Sequence, residues 1–460
     1  MQAVGKSRER KERNMTEGCI WKHILFFSLP LMIGNLFQQL YNTVDTIVVG
    51  NYVGKEALAA VGSVDSIIFM FIGLFSGLAT GAGVVISQYY GAKDEKNVSE
   101  AVHTTIALTI VMSIGTTILS LLLVPFLLNL MNTPDDVYDL SATYLRIYFS
   151  GMAGLLFYNM GSGIMRAVGD SRRPLYFLIF SALTNIVLDL LFVMKYQMGV
   201  AGVGYATIIS QGLSAVLILI VLCRETHCYR VVPRKIRMNR SMLERIINIG
   251  FPAAFQMAVT SFSNVFVHSY INSFGSAAMA GWSSYGKVDK FCLLPIQSLA
   301  LGVTTFTGQN VGAGRLDRVR RGTKTGLMMS IAVSICIIIP VWIFAGTTIR
   351  LFSSSEDVLS YGTLFVRLMM PFYVSLCINQ IFAGTLRGVG NTKAPMLIMM
   401  GSFIVFRQIY LFIISRLSDS IIPIALGYPF GWILCSACLV FYYRRTKLTR
   451  YAVTGSEETG

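Results

Sequence analysis

Two aspartates lie inside long apolar stretches of this chain, where a charged side chain is hard to accommodate. Asp45 and Asp189 each follow a proline by fifteen residues, Pro30 and Pro174 respectively. An ionised carboxylate at the centre of a bilayer costs roughly 2.5–3.5 kcal/mol, so acids in such positions are candidates for function. If both stretches are helices that start near one membrane face, a rise of about 1.5 Å per residue places the two acids at similar depth.

The neighbours of these acids supply further oxygen atoms. Asn185 precedes Asp189 by four residues, so both side chains project from one helix face, and Thr207 is placed to approach from the next helix. Two carboxyls in a low-dielectric environment favour the binding of a proton. The same oxygens are hard ligands, which makes Asp45, Asp189, Asn185 and Thr207 a candidate Na⁺ site. The alternative is structural, with each acid capping a helix end or hydrogen-bonded within a polar helix contact.

The elements that carry these residues have the composition of membrane helices. The chain is 54% hydrophobic and 13% charged, with a mean hydropathy of +0.61, whereas soluble domains carry about 25% charged residues. The apolar runs are about 20 residues or longer and do not alternate at period two, which favours helices over a barrel. We predict an all-α integral membrane protein with twelve transmembrane helices, at residues 22–50, 57–87, 100–129, 139–165, 174–195, 200–223, 243–273, 278–309, 322–350, 359–386, 394–416 and 420–443.

The formal net charge of +15 is distributed unevenly along the chain. Cationic residues cluster in four segments that all lie on one side of the membrane if the twelve spans alternate in direction. These segments contain Lys6, Arg8, Arg10, Lys11 and Arg13; Arg224, Arg230, Arg234, Lys235, Arg237 and Arg240; Arg315, Arg318, Arg320 and Arg321; and Arg444, Arg445, Lys447 and Arg450. The positive-inside rule places that side, and both termini, in the cytoplasm. Because the charge is explained by orientation, no nucleic-acid partner is expected.

The chain contains two similar halves. GIMRAVGDSRRP begins at Gly163 and GTLRGVGNTKAP at Gly384, an offset of 221 residues (163 to 384), and Gln88 of SQYYGA falls on Gln309 of TGQNVGA at the same offset. Such a repeat, with an even number of spans in each copy, predicts two pseudo-symmetric six-helix lobes of the same orientation. The predicted division is a basic cytoplasmic N-terminal tail 1–19, an N-terminal lobe 20–223, a cytoplasmic linker 224–241, a C-terminal lobe 242–443 and a cytoplasmic C-terminal tail 444–460.

The acidic pair belongs to one half only. At the repeat offset Asp189 is matched by Tyr410, and Asp45 by Phe266 or Val267. Residues required for packing alone would often recur in both copies. The acids therefore indicate a function that is specific to the N-terminal lobe.

Further polar and soft residues are candidates for a cleft between the lobes. Lys287, Asp289 and Lys290 are expected to form one charged patch that faces this cleft, with a position near a surface as the alternative. Methionines suit a pocket for apolar cations, although most serve packing. The remaining cleft candidates are Gln38, Met257, Gln380 and Arg407. No Walker loop, HExxH or GxSxG motif occurs, so the usual signatures of ATP-driven transport and of hydrolysis are missing.

These residues and motifs resemble the multidrug and toxic compound extrusion (MATE) family in its bacterial form. The resemblance rests on Pro30, on Asp45 and the following VVGNYVGKEALAAVG, on the paired SQYYGA and TGQNVGA segments, and on the paired MRAVGDSRRP and LRGVGNTKAP segments. It covers residues 20–443. It implies twelve helices in two lobes, alternating access, and export coupled to inward flow of H⁺ or Na⁺.

Carried over residue by residue, the resemblance implies a cation-coupling site at Asp45, Asn159, Asn185, Asp189 and Thr207, and a first helix that bends at Pro30. The C-terminal lobe departs from members that use acids there. It offers Thr260 or Ser261 in the seventh span, and Asn379 and Gln380 in the tenth. This departure favours coupling through the N-terminal lobe, with H⁺ preferred over Na⁺.

We therefore predict a secondary active transporter, not an enzyme, in the bacterial cytoplasmic (inner) membrane. It is expected to export amphipathic, often cationic, small organic compounds as a monomer surrounded by membrane lipid, with no cofactor besides the coupling ion. The alternative is a lipid-linked oligosaccharide flippase of the same wider superfamily, whose cationic cleft would use Lys287, Lys290 and Arg407. A channel or a membrane receptor is a further alternative, and the duplicated halves argue against it.

Overall fold

The chain folds almost entirely into long helices, as its apolar runs predict. The computed structural model describes residues 14–131, 133–418 and 420–451, except for the side chains of residues 55, 65, 66, 261, 262, 264–266, 450 and 451. The basic cluster before the first span lies outside the described residues. The main helices are α1 Ile20–Val53, α2 Lys55–Gly91, α3 Glu95–Leu130, α4 Asp135–Ser150 with Met152–Ala167, α5 Arg172–Lys195, α6 Gly199–Arg224, α7 Arg240–Asn272, α8 Ser276–Gly312, α9 Leu316–Ile343, α10 Glu356–Gly388, α11 Lys393–Leu417 and α12 Ile421–Arg445.

This helix set confirms the predicted all-α class and the two six-helix lobes, whereas the exact domain boundaries stay a prediction. Among the described residues, ten helices are long and apolar enough to cross a membrane; α7 and the interrupted α4 are outside that set. The ninth span begins and ends earlier than predicted, at Leu316–Ile343. It leaves helical geometry at Phe344 (φ −96°, ψ 30°), and residues Ala345–Arg350 form a separate short helix.

Each lobe has its own apolar core. Phe75, Phe149 and Leu156 are fully buried in the N-terminal lobe. In the C-terminal lobe, the rings of Trp282 and Phe365 meet edge to face with centroids 4.9 Å apart. Because lipid tails are as apolar as these side chains, close van der Waals packing holds the two cores together.

The lobes meet mainly along three helix pairs, α2 with α7, α1 with α8 and α2 with α8. Small residues allow the first pair to approach closely. A methyl group added to Gly77 would collide with the backbone of Ala254, and one added to Gly81 would collide with Gly250. In the second pair, the Asn35 amide donates to the Ser298 hydroxyl at 3.4 Å. The seam therefore consists mainly of close backbone packing.

The segment between the lobes lies against the N-terminal lobe. The backbone N–H of Val232 donates to Nε2 of His103 at 3.0 Å, and the Asn239 amide donates to Glu100 at 2.9 Å. Arg173, at the start of α5, contacts Asp170, Glu225 and Tyr229. These contacts tie the end of α6 and the linker to the beginning of α5.

Replacing Arg173 with glutamine is expected to destabilise the protein by about 1–2 kcal/mol, because the half-buried Asp170 and Glu225 lose their cationic partner. The melting temperature of the purified protein measures this effect. Arg172→Gln is the matched control, since Arg172 is the exposed neighbour. Equal melting temperatures for the two variants would show that the network contributes nothing specific.

Candidate functional site

A cavity of about 590 Å³ lies between the two lobes. Its described lining comes from α1, α2, α4, α5 and α6 on one side and from α7, α8, α10 and α11 on the other. The lining includes amide, hydroxyl and apolar side chains. Gln38, Met257 and Gln380, which were predicted for the cleft, are among the lining residues, and so is Pro30, the predicted hinge.

The structure brings Asp45 and Asp189 together. Asp189 is fully buried, Asp45 is half-buried, and their carboxyls are close enough to share a hydrogen bond. Each acid lies where the regular α-helix ends. A π-helical turn follows at Val49–Val53 in α1 and at Leu190–Lys195 in α5. Such turns are rare and are frequent at functional sites, because the inserted residue redirects the side chains around it.

Asn185 extends this acidic pair toward the cavity. It lies one turn before Asp189, it is only 2% exposed, and it lines the cavity. Neither polar atom of its side chain has a hydrogen-bond partner among the described residues, and the carboxyl of Asp189 has only Asp45. A buried polar group without a partner costs about 1–3 kcal/mol. A proton shared by the acids, or a small cation held by these oxygens, would offset that cost.

The other two predicted members of the site also line the cavity. The Thr207 hydroxyl donates to the carbonyl of Val203 at 2.9 Å, which leaves its oxygen available as an acceptor. The Asn159 amide donates to the carbonyl of Leu155 at 2.9 Å. Gln38 hydrogen-bonds Tyr41, whose phenol lies within electrostatic range of Asp45. Asn159, Asn185 and Thr207 thus line one side of the cavity, with Asp45 and Asp189 behind them. The role of the five residues in coupling stays a prediction.

One end of the cavity is closed by two reciprocal hydrogen bonds between the lobes. Gln88 at the end of α2 donates to the carbonyl of Gly388 at 3.0 Å. Gln309 at the end of α8 donates to the carbonyl of Ala167 at 2.9 Å. Both donors and both acceptors are related by the repeat offset of 221 residues (88 to 309 and 167 to 388). We call this pair the glutamine clasp.

Two glycines allow the glutamine clasp to form. A methyl group on Gly91 would collide with the carbonyl of Gln309, and a methyl group on Gly312 would collide with the carbonyl of Gln88. The colliding atoms are backbone atoms of the opposite lobe, which cannot move aside as a flexible side chain would. The two helix ends therefore cross at their closest possible approach.

The segment before α1, residues 14–18, strengthens one half of the clasp. Met15 is fully buried, and its N–H donates to Oε1 of Gln309 at 3.0 Å. Arg318 and Arg315 of the C-terminal lobe donate to the carbonyls of Met15 and Thr16 at 3.1 and 2.8 Å. The N-terminal strap, as we name this segment, thus precedes the N-terminal lobe in sequence and binds the C-terminal lobe.

A family model described as MatE matches the chain twice, over residues 30–191 and 252–413. The two matches fall in the two halves and together span more than half of the sequence. The chain belongs to the MatE family. As a MatE protein it is a multi-pass membrane transporter and not an enzyme, as predicted.

Two bacterial relatives extend over nearly the whole MatE chain. The probable multidrug resistance protein YpnP of Bacillus subtilis is 30% identical over 438 residues, 95% of this chain and 98% of its own. The probable multidrug resistance protein NorM of Thermotoga maritima is 27% identical over 447 residues, with coverages of 95% and 93%. The crystal structure of a MATE protein in complex with MaL6 superposes with a TM-score of 0.90 at 23% identity, covering 96% of this chain and 100% of that one. The flippase alternative gains no support from these similarities.

The structure corrects the expectation of a charged patch at Lys287, Asp289 and Lys290, because none of the three lines the cavity. Asp289 turns into the C-terminal lobe and accepts hydrogen bonds from the phenols of Tyr285 and Tyr373. The two lysines are exposed; Lys287 lies near the ring of Phe352 and Lys290 near the ring of Phe69. Residues two apart on a helix point in nearly opposite directions, so the three side chains cannot share a face.

Arg407 also lies away from the cleft for which it was predicted. It is 2% exposed inside the C-terminal lobe, where it donates to the Ser263 hydroxyl at 2.7 Å and lies 4.5 Å from the ring centroid of Tyr428. It does not line the cavity of the MatE fold. Asn379 is likewise held within its lobe, by Trp432 and Ser436.

The cations of the described cavity lining, Arg166 and Arg387, are not among the residues predicted for the site. Both are half-buried and line the cavity. They are equivalent positions of the two MatE copies (166 to 387), within the paired MRAVG and LRGVG segments. The paired segments are recognisable in the sequence. However, arginine is common at the cytoplasmic ends of membrane helices, so its presence there does not by itself indicate a residue of the cavity.

Proposed function

We propose that this protein exports amphipathic organic compounds across the bacterial cytoplasmic membrane by alternating access, coupled to inward flow of H⁺ or Na⁺. The single observation that carries the proposal is the cavity between two matching lobes, with a buried pair of carboxyls beside it. The relatives are named as multidrug resistance proteins, which agrees with a cavity that mixes polar and apolar side chains. We expect the protein to work as a monomer.

The glutamine clasp supports a cycle in which the two membrane faces open in turn. It joins the lobes at the end where the connecting segment and the strap lie, and the positive-inside rule assigns that end to the cytoplasm. With the clasp formed, the cytoplasmic end is shut. Release of the clasp would let the lobes rock about the seam and expose the cavity to the cytoplasm.

Coupling requires that the ion and the substrate stabilise different states. We assign the ion to Asp45, Asp189, Asn185, Asn159 and Thr207, with H⁺ preferred and Na⁺ second. Of these, Asn185, Asn159 and Thr207 face the cavity. Ion binding there neutralises the acids and satisfies the polar atoms of Asn185, and it thereby changes the packing between α1 and α5, the helices that carry the acids. Substrate release to the outside follows from that rearrangement.

Export from proteoliposomes under separately imposed gradients tests this function. A fluorescent amphipathic dye should be moved against its concentration gradient when a pH gradient alone is present. A Na⁺ gradient alone should drive less transport, and an ionophore that dissipates the pH gradient should stop it. Dye movement that is the same with and without any gradient would contradict coupled export and would favour a channel.

A further inference from the structure

The described lining of the cavity carries positive charge and no negative charge. Among its described lining residues, Arg166 and Arg387 are the charged ones, and no carboxylate is present. Neither arginine forms an ion pair with a described carboxylate. Asp45 and Asp189 lie behind the cavity surface, where they interact with each other.

We infer that the cavity selects substrates with an anionic group, such as a carboxylate or another oxyanion, that docks on Arg166 and Arg387. This inference rests on the proposed export function and specifies its substrate class. It reverses the preference for cations that the family resemblance implies. Inside a protein, two fixed positive charges repel a bound cation more strongly than they would in water, and they attract an anion correspondingly.

The guanidinium groups have donors available for such a ligand. Arg387 uses Nε to donate to the carbonyl of Ala383 at 3.3 Å, and its other nitrogens have no described partner. The guanidinium of Arg166 has no hydrogen bond to a described residue. An arginine offers five N–H donors in a planar fork, and this fork matches a carboxylate in two parallel hydrogen bonds. Arginine is also less strongly hydrated than lysine, which favours its use at a partly buried site.

The rest of the lining suits the remainder of an amphipathic molecule. Leu31, Leu178 and Phe403 provide apolar surface, and Gln256 and Gln297 provide amides that both donate and accept. A binding site usually combines such apolar walls with a few polar groups that fix the orientation of the ligand. The arginines supply the charge recognition, and the walls tolerate variation in the apolar part.

The two arginines are also adjacent to the glutamine clasp. Arg166 directly precedes Ala167, whose carbonyl accepts from Gln309, and Arg387 directly precedes Gly388, whose carbonyl accepts from Gln88. An anion bound to either guanidinium would thus lie one residue from a carbonyl that accepts a hydrogen bond of the glutamine clasp. Substrate recognition and closure of the cytoplasmic end are then parts of one local arrangement.

A purely structural role for these arginines is the competing explanation. Both lie in the last turn of their helical segments, where a cation interacts favourably with the helix C-terminus. In that role the arginines would stabilise α4 and α10 regardless of the charge of the substrate. A test must therefore measure substrate preference, and not activity alone.

Two dyes that differ in one group provide this test. Rhodamine B carries a free carboxylate, whereas its ethyl ester is purely cationic. Fluorescence anisotropy with the purified full-length protein should show tighter binding of rhodamine B. The double variant Arg166→Gln, Arg387→Gln should weaken rhodamine B binding about tenfold, since charge-assisted bidentate contacts are lost, and should leave the ester unaffected or better bound. The double variant with lysine at both positions should retain part of the preference.

Arg350→Gln serves as the control, because Arg350 is exposed at the opposite end of the molecule and outside the cavity. Melting temperatures confirm that each variant folds, and the single variant Arg387→Gln replaces the double one if needed. Equal or tighter binding of the ester by the wild type would overturn the inference, as would equal weakening of both dyes in the glutamine variant. Binding is measured without any gradient, so it is independent of export. If the wild-type protein binds rhodamine B more tightly than the ester but does not export dye, the proposed function is refuted and the charge selection is not.

Discussion

Replacing Asp189 with asparagine is expected to reduce the rate of gradient-driven export about tenfold or more. A reduction of this size corresponds to the loss of a coupling free energy of about 1–3 kcal/mol between ion binding and substrate binding. Asparagine keeps the shape of the side chain but cannot gain or lose a proton, and it weakens the attraction for Na⁺. Because Asp189 is fully buried against Asp45, water cannot replace the missing carboxylate. The initial rate of dye export from proteoliposomes under a pH gradient measures the effect.

The same measurement on Asp45→Asn should give a loss of similar size, and the double variant should lose little more, since the two carboxyls act as one unit. Dye binding in the absence of a gradient should remain within about threefold of the wild type, because the acids do not line the cavity. Asp139→Asn is the matched control; Asp139 is an exposed acid on α4. Unchanged export by Asp189→Asn would exclude this cluster as the coupling site.

Replacing Gly312 with alanine is expected to prevent the glutamine clasp from forming. The added methyl group would occupy the position of the Gln88 carbonyl, so the two helix ends must separate, and both interlobe hydrogen bonds weaken with them. We expect export to fall about tenfold or more, because a closing contact worth 1–3 kcal/mol no longer distinguishes the two states. Gly91→Ala should behave in the same way, since it meets the Gln309 carbonyl.

Hydrogen–deuterium exchange on the full-length protein reports the structural part of this effect. Peptides that contain the N-terminal strap and Ala167 should exchange faster in Gly312→Ala than in the wild type. Gly286→Ala is a control on the same helix, since a methyl group at Gly286 meets nothing within 4 Å. A Gly312→Ala protein with wild-type exchange and wild-type export would show that the crossing at Gly312 has no part in closure.

The helices and the two-lobe repeat could be predicted because both depend on local properties of the sequence. A run of about 20 apolar residues specifies a membrane helix wherever it occurs, since lipid leaves no other way to satisfy the backbone. The repeat follows from a constant offset. The sequence also indicated the relative depth of Asp45 and Asp189; the structure places them in contact, and their function stays a prediction.

Positions that depend on side-chain direction or on backbone acceptors could not be predicted. Lys287 and Asp289 are near in sequence but point apart on their helix. Arg407 follows the π-helical turn Gly401–Phe406, which rotates the later residues of α11 relative to a regular helix. The position of that turn cannot be predicted from the residue types within it. The glutamine clasp depends on the carbonyls of Ala167 and Gly388 as acceptors. Because every residue has a backbone carbonyl, the sequence does not indicate which ones accept these hydrogen bonds.

The reciprocal form of the glutamine clasp also bears on how the fold arose. Each lobe supplies one glutamine and one carbonyl to the other, which is the contact pattern of an isologous dimer. A single ancestral six-helix chain with one glutamine, one glycine and one such carbonyl would already have formed both bonds with a second copy of itself. Joining two such copies in one chain would therefore require no new closing contact. The two halves of this chain differ in other respects: the acids lie in the first half, and the residues that bind the strap lie in the second.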